Sequence, residues 1–265
     1  QHVSDWLRDH EQEAAMGEFG RALAVLASRV GGSSDDFVHA LRWRLEGDRQ
    51  AADRAGLTAE ERHWLAAPTH LDGEAAVLQR FDIGGQDLDC AELAHLLLPI
   101  IASAHRVVIF CGPGSLATTL HATLRRALPD GEVREHSARA SMESNEQAVT
   151  RWRELGGALV VDDTAEDGLN LQHADVVVHC RLPWSPNQLE QRLGRVDRFV
   201  GAMSGAATHA ARQYVVANPG ADDDFLEAWL TLLRDGFGIF SGSVAAFQDA
   251  IDQQVLPSWA AALDD

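Results

Sequence analysis

The sequence from about residue 89 onward alternates short apolar runs with longer helical patterns, and this alternation restricts the fold more than any other feature. Helical patterns at residues 115–128, 145–155 and 186–198 lie between apolar runs that predict five strands, at residues 106–111, 132–136, 158–162, 176–180 and 213–217. Strands that alternate with helices are joined by right-handed crossovers, so they form a parallel sheet with helices on both faces. We therefore predict an α/β domain whose ligands bind beyond the carboxyl ends of the strands.

Helical patterns also flank this α/β region. On the amino-terminal side they lie at residues 5–26, 34–46 and 58–66, where Ser34 and Thr58 are predicted N-caps and Glu61 completes a capping box with Thr58. The chain returns to helix after Pro219, and the acidic residues 222–224 suit a helix start. We predict three parts: a helical linker or accessory region at 1–88, the α/β domain at 89–218 and a helical segment at 219–265.

Arginine supplies all 22 basic residues of the chain, which contains no lysine and carries a formal net charge of −18. The absence of lysine excludes a complete GxxxxGK[ST] phosphate loop, a Schiff-base lysine and a kinase-type lysine from this sequence. The acidity argues against a surface that coats nucleic acid, so any such contact is expected to be local.

Cysteine spacing and hydropathy indicate the compartment. Cys90, Cys111 and Cys180 are widely separated and form no CxxC pair, which is typical of buried thiols in a reducing compartment. No apolar run approaches the roughly 20 residues that a membrane span requires, so we expect no membrane partner. The sequence starts at Gln1 without a signal-peptide pattern, and we expect a piece of a longer cytoplasmic protein.

Several short motifs have both a functional and an ordinary interpretation. The turn CGPGS at residues 111–115 follows an apolar strand and precedes a helix, as phosphate cradles do, but such glycines more often only form the turn. Asp162 and Asp163 end a buried strand, which fits either a magnesium-holding strand end or carboxylates that cap the chain. His173, His179 and Cys180 lack the spacing of zinc ligands, so we predict no metal site in this chain.

The stretch QLEQRLGRVDRF at residues 188–199 places three arginines within seven residues. On a helix, Gln188, Gln191, Arg195 and Arg198 fall within a sector of roughly 80°, opposite an apolar face. Gly194 lies beside this polar face and would let a bulky anion approach the backbone. Spacing alone leaves two interpretations open, an anion-binding face or a solvated and salt-bridged one.

The segment DDTAEDGLNLQHADVVVHCRLPWSPNQLEQRLGRVDRF, residues 162–199, resembles motifs V and VI of superfamily-two helicases of the Swi/Snf type. It is most similar to the bacterial branch that contains the RNA-polymerase-associated ATPase RapA (HepA). The GLNLQ element, a strand, the LPWSPNQLEQR bridge and the GRVDR arginines occur in the family's order and spacing. Weaker similarity extends over about residues 89–250, with RVVIF resembling motif IV.

The resemblance implies the second of two RecA-like lobes, which bind ATP in the cleft between them and move along nucleic acid, most naturally DNA. The first lobe would carry the phosphate loop and the carboxylates that hold Mg²⁺, so this sequence alone is expected to be inactive. Arg195 and Arg198 match the arginine fingers that reach the γ-phosphate, and Arg192 is expected only to support the helix. Nucleotide-site positions are matched by three residues: Gln191, Gly168 and Asn170. The positions expected at nucleic acid are Gly112, Thr164 and Gln172.

Two departures from the family pattern leave an alternative open. Val200 and Gly201 follow Phe199 where the family continues differently, and the segment 141–153 has Glu146 near a position where relatives often have arginine. A catalytically degenerate RecA-like scaffold is therefore the alternative to a motor lobe. Helicase-like proteins of bacterial phosphorothioation-dependent DNA restriction systems resemble the same motifs, so a role in restriction is as plausible as one in RNA polymerase recycling.

Overall fold

The computed structural model describes residues 13–66, 73–82, 90–166, 168–183, 186–196, 211–216 and 229–236. Helices precede the sheet in the order α1 (Glu13–Ala27), α2 (Asp35–Glu46), α3 (Arg49–Arg54), α4 (Ala59–Leu65), α5 (Glu74–Asp82) and α6 (Cys90–Ala102). The α/β part follows as β1 (Arg106–Phe110), α7 (Leu116–Ala127), β2 (Val133–His136), α8 (Met142–Leu155), β3 (Gly157–Val161), β4 (Val176–His179), α9 (Pro186–Val196) and β5 (Arg212–Val215). A 3₁₀ turn at Asp163–Glu166 follows β3, and a π-helical turn lies at Leu232–Gly236.

The strands form one five-stranded sheet in the order β2-β3-β1-β4-β5, and every neighbouring pair is parallel. The first strand of the sequence is therefore central, with Val107 opposite Ala158 on one side and Val176 on the other. The predicted parallel α/β sheet is confirmed, with strand ends within one or two residues of those predicted. None of the helices in the described ranges is long and apolar enough to cross a membrane.

Helices cover both faces of the sheet because successive strand side chains point to opposite sides. On one face, Val107 and Ile109 of β1 pack in a core with leucines of α6 and α7. On the other face, Val108 and Phe110 pack in a core with Trp152 of α8 and Val196 of α9. The central strands are buried on both faces, which explains why they read as continuous apolar runs in the sequence.

The amino-terminal helices have a hydrophobic core of their own. Its buried members are Ala22, Val25, Leu26, Ala40, Leu41, Ala52, Ala55, Leu57, Leu65 and Leu78. The predicted capping box at Thr58 is confirmed: the Thr58 hydroxyl accepts from the Glu61 backbone N–H and the Glu61 carboxylate accepts from the Thr58 N–H. The predicted N-cap position of Ser34 is confirmed for α2, although the Ser34 side chain makes no capping hydrogen bond. The hydroxyl of Ser33 instead accepts from the backbone N–H of Asp35, at 3.3 Å.

Parts of three predicted helices lie outside the described residues. These are positions 5–12 of the first helix, positions 197–198 of the arginine-rich helix and the acidic start at 222–224.

Candidate functional site

Helix α9 carries the arginine-rich stretch and has one apolar and one polar face. Leu189, Leu193 and Val196 are buried, and Val196 joins the core that contains Phe110. On the other side, Gln188, Gln191 and Gly194 are exposed and Arg195 is partly exposed. The described part of the helix therefore has the amphipathic arrangement that the spacing predicts. Arg198 lies outside the described residues.

Arg192 differs from Arg195 because it is buried beneath α9. Its guanidinium lies over the Phe110 ring, 4.5 Å from the ring centroid, and donates to the backbone carbonyl of Arg181 at 2.9 Å. The same Nη1 lies 3.2 Å from Nδ1 of His179. Arg192 thus anchors α9 to the carboxyl end of β4 and supports the helix, as the sequence suggests.

His179 is a buried core residue that completes this anchor. Its Nε2 lies 2.9 Å from Oε1 of Gln213, and its ring stacks on Phe110. Burial, helped by the positive charge of Arg192, lowers the pKa of His179 to about 3. The ring is therefore neutral at neutral pH, with Nε2–H donating to Gln213 and Nδ1 accepting from Arg192. Among the described residues, no group of three or more His, Cys, Asp or Glu side chains could hold a metal ion.

The loop at residues 168–172 joins α8 and α9 through backbone groups. The N–H of Leu171 donates to the carbonyl of Arg195 at 3.0 Å, and Nη2 of Arg153 donates to the carbonyl of Asn170 at 2.8 Å. The side chain of Asn170 accepts from the N–H of Gln172 at 3.1 Å, which closes an Asx turn. Gly168 starts the loop with φ 87, a left-handed conformation that favours glycine. Gly168, Asn170 and Gln172 are therefore held beside the helix that carries Gln191 and Arg195.

The carboxylate of Asp162 is engaged by the turn that follows β3. It accepts from the backbone N–H of Ala138 at 2.7 Å and from that of Thr164 at 3.1 Å, and it also bonds to the Thr164 hydroxyl. Asp162 is 3% exposed. These contacts correspond to the capping interpretation of this strand end, and they place Thr164 at the surface directly after β3.

A groove of about 590 Å³ opens beside Thr164, between α8 and the loop after β3. His136, at the end of β2, and Arg153, on α8, both line it. Within the described part of the chain, Nδ1 of His136 and Nε of Arg153 are buried and have no hydrogen-bond partner. Burial also lowers the pKa of His136, an effect that the nearby Asp162 partly opposes. His136, Arg153 and Thr164 all carry hydrogen-bond donors, so the residues that line this groove suit a polar ligand.

Sequence reasoning missed His136 and Arg153, because neither belongs to a recognisable motif and tertiary packing alone brings them to Thr164. Of the residues expected at nucleic acid, Thr164 lines this groove, whereas Gly112 is not among its lining residues. Gly112 is buried at the end of β1, where an added Cβ would lie 3.2 Å from Cβ of Arg181 and 3.6 Å from the carbonyl of Ser28.

Residues 90–200 match the family model of the helicase conserved C-terminal domain. The RNA polymerase-associated protein RapA of Vibrio vulnificus is 31% identical over 98 residues, which are 36% of this chain and 10% of that protein. RapA of Serratia proteamaculans is 30% identical over 49% of this chain and 13% of its own length. The chain thus spans about a tenth of the length of the curated relatives that it matches.

Two solved structures match the chain at low sequence identity and with TM-scores below 0.5. The helicase MrfA, whose crystal structure is described as bound to DNA and AMPPNP, is 16% identical over 58% of this chain and 20% of its own, with a TM-score of 0.42. The C-terminal part of the Fun30 ATPase domain is 13% identical over 93% of this chain and 95% of its own, with a TM-score of 0.42.

The family match covers four of the five strands, β1 to β4, together with α9, and it includes residues 162–199. Residues 90–200 therefore match the helicase conserved C-terminal domain and form a parallel α/β lobe of the RecA-like kind, and the chain is similar in sequence to the Swi/Snf-type protein RapA.

Proposed function

We propose that this chain is the second motor lobe of an ATP-dependent DNA translocase, and that it completes an ATP site whose other half lies on an amino-terminal RecA-like lobe of the same protein. The observation that carries the proposal is the 3.0 Å hydrogen bond from Leu171 N–H to the carbonyl of Arg195. This bond couples the loop at 168–172, which borders the open groove, to the helix with the exposed polar face. A conformational change at the nucleotide site would therefore be transmitted to the nucleic-acid site, because α9 and the loop at 168–172 would move together.

Arg195 is the residue that we assign to the transition state for γ-phosphate transfer, with Arg198 as its companion finger. ATP bound in the cleft supplies the phosphoryl group, and a permanently charged guanidinium stabilises the negative charge that develops on it. Arginine fingers contribute about 10³ to 10⁵ in rate. Gln191 on the same face would orient the nucleotide, and Arg192 and His179 hold the helix in position from below.

Magnesium is assigned to the other lobe. The carboxylate best placed to bind it here, that of Asp162, already accepts hydrogen bonds from Ala138 and Thr164. The residues of this chain therefore suit the half of a shared ATP site that provides the arginine fingers, and not the half that binds Mg²⁺.

The groove beside Thr164 is the proposed contact with DNA. Phosphate oxygens accept hydrogen bonds, and three residues whose side chains carry donors, His136, Arg153 and Thr164, line this groove. Gln172 is exposed at the end of the adjoining loop. A local contact of this kind agrees with a chain whose net charge is −18, because only a few phosphates need partners.

The biological setting that we propose is bacterial DNA restriction or RNA polymerase recycling, in the cytoplasm. The RapA relatives are named for their association with RNA polymerase, which supports the second setting. Partners would be DNA, the amino-terminal lobe, and either RNA polymerase or other restriction proteins.

The proposal is tested by Arg195→Ala in the full-length protein. We expect DNA-stimulated ATP hydrolysis to fall by about 10³-fold or more, with ATP affinity within a few-fold of wild type, because the finger acts on the transition state. Arg126→Ala is the matched control, since Arg126 is an exposed arginine on α7 that the proposed site does not use. Unchanged hydrolysis in Arg195→Ala would contradict the finger assignment. A wild-type protein without DNA-stimulated hydrolysis would favour the degenerate scaffold.

A further inference from the structure

We propose that the helical region at residues 20–66 is an intramolecular ligand of the lobe. The carboxylate of Asp36 takes the anion position at the amino end of α7, so the turn after β1 binds the helical region and not a nucleic-acid phosphate. That the excluded ligand is a nucleic-acid phosphate rests on the proposed function. The contact between Asp36 and α7 does not depend on it.

Asp36 accepts hydrogen bonds from Ser115 and Leu116 at the amino end of α7. The backbone N–H of Ser115 lies 3.0 Å from both carboxylate oxygens, the Ser115 hydroxyl donates at 2.7 Å, and the N–H of Leu116 donates at 3.2 Å. The Ser115 side chain makes no capping bond within its own helix, so a carboxylate 79 residues earlier in the chain caps α7 instead. Backbone N–H groups at a helix start form an anion position, and here a protein carboxylate fills it.

Arg181 supplies the second half of this contact. Its Nη1 donates to Asp36 at 3.0 Å, and both side chains are 1% exposed. Its other donors bond to the carbonyls of Gly31, Ser33 and Pro113, at 2.8 to 2.9 Å. One guanidinium after β4 therefore binds the helical region and the turn after β1 at the same time. A buried charge pair with this many hydrogen bonds would be left unpaired if the two parts separated.

Close backbone approach across the same contact explains the glycines of the CGPGS turn. An added Cβ on Gly114 would lie 2.5 Å from a carboxylate oxygen of Asp36, and one on Gly56 would lie 3.2 Å from Cα of Gly114. Gly32 faces Leu116 in the same way, at 2.6 Å from its Cδ2. The turn thus packs closely against the helical region. While Asp36 occupies this position, the turn has no room for a phosphate.

Arg139, in the loop after β2, adds a second attachment. Its Nη2 donates to the carbonyls of Asp53 and Arg54 at the end of α3, at 3.2 and 2.8 Å. The helical region is therefore attached at the turns that follow β1, β2 and β4. Among the described residues, the groove beside Thr164, after β3, remains open to a polar ligand at this edge of the sheet.

The test is amide hydrogen exchange of the full chain, with and without a DNA oligonucleotide. In the wild type we expect slow exchange at Ser115 and Leu116 that DNA does not change. Asp36→Asn should speed exchange of these two amides at least tenfold, because the amide side chain is a weaker acceptor than the carboxylate and the charge on Arg181 loses its partner. Asp35→Asn is the matched control: it removes the same charge from the neighbouring, exposed position and should leave both amides slow.

Two results would overturn the inference: DNA-dependent protection of residues 112–116 in the wild type, or unchanged exchange at Ser115 and Leu116 in Asp36→Asn. If Asp36→Asn does not fold, the wild-type comparison with and without DNA still decides the question. Absence of DNA protection at residues 164–172 would count against the proposed function only, since the Asp36 contact has its own readout.

Discussion

Replacement of Gly194 by alanine separates a structural from a functional role of this residue. Gly194 lies inside α9, is exposed, and has no atom within 4 Å of the position that an added Cβ would take. Glycine costs a helix interior about 1 kcal/mol relative to alanine, and no steric term opposes the gain here. We therefore expect Gly194→Ala to raise the free energy of unfolding by about 1 kcal/mol and the Tm by about 2–4 °C.

The same substitution is expected to lower the rate of ATP hydrolysis, although it raises the stability of the fold. If a nucleotide approaches the polar face of α9, a methyl group beside Arg195 obstructs it, and DNA-stimulated ATP hydrolysis of the full-length protein should fall by about tenfold, or roughly 1.4 kcal/mol of transition-state stabilisation. Urea denaturation and steady-state hydrolysis measure the two effects separately. Thr119→Ala is the control, because it places a better helix former on the exposed side of α7, away from α9. A less stable Gly194→Ala would refute the helix argument, and a more stable variant with unchanged hydrolysis would refute the ligand argument.

The remaining predictions concern a buried histidine and the groove. Because burial lowers the pKa of His179 from 6.5 to about 3, the unfolded chain binds a proton that the folded chain excludes, so stability is complete above about pH 6.5 and falls as the pH falls towards 3. Between pH 7 and pH 5, this one group should lower the free energy of unfolding of the wild type, measured by urea denaturation, by about 2 kcal/mol. His179→Gln should lack this part of the pH dependence. An identical pH dependence in the wild type and the variant would contradict the prediction. Arg153→Gln should weaken DNA binding and reduce the slope of log K against log salt by about 1, since one phosphate contact is lost. Arg126→Gln, at an exposed site on α7, should leave the slope unchanged in the same fluorescence titration, and an unchanged slope in Arg153→Gln would exclude its phosphate contact.

Most of the fold could be predicted because local periodicity determines it. The runs that became β1, β3 and β4 are apolar throughout, as strands buried on both faces must be, and the 3.6-residue period of α9 placed Leu189 and Leu193 on the packed side. The capping box at Thr58 and Glu61 is likewise a local signal, since both partners lie within one turn. Patterns of this kind need no knowledge of distant parts of the chain.

The contacts that the sequence did not predict all join residues far apart in the chain. Asp36 follows Asp35 at the start of α2, where acidic residues are common, and nothing local distinguishes the one that caps another helix. The groove likewise brings His136 and Arg153 to Thr164 from three different elements. Local signals also have limits: Ser34 takes the predicted N-cap position, but its side chain makes no capping hydrogen bond. The residue type limits which structural roles a side chain can have, and its tertiary contacts determine which of these roles it takes.

Burial is what assigns the arginines of this lysine-free chain to different tasks. Arg29 and Arg44 are buried in the helical region and bond to Glu61 and Glu74, and Arg181 binds Asp36 across to the lobe. Arg192 is also buried and bonds to a carbonyl and a neutral histidine. The planar guanidinium can bond to several acceptors at once, which suits it to fastening elements of an acidic protein together. Arg195 differs from these four because it reaches the surface on the polar face of α9. The same helix thus uses one arginine to fix its position and presents another at the surface, and the finger role proposed for the second depends on the rigidity that the first provides.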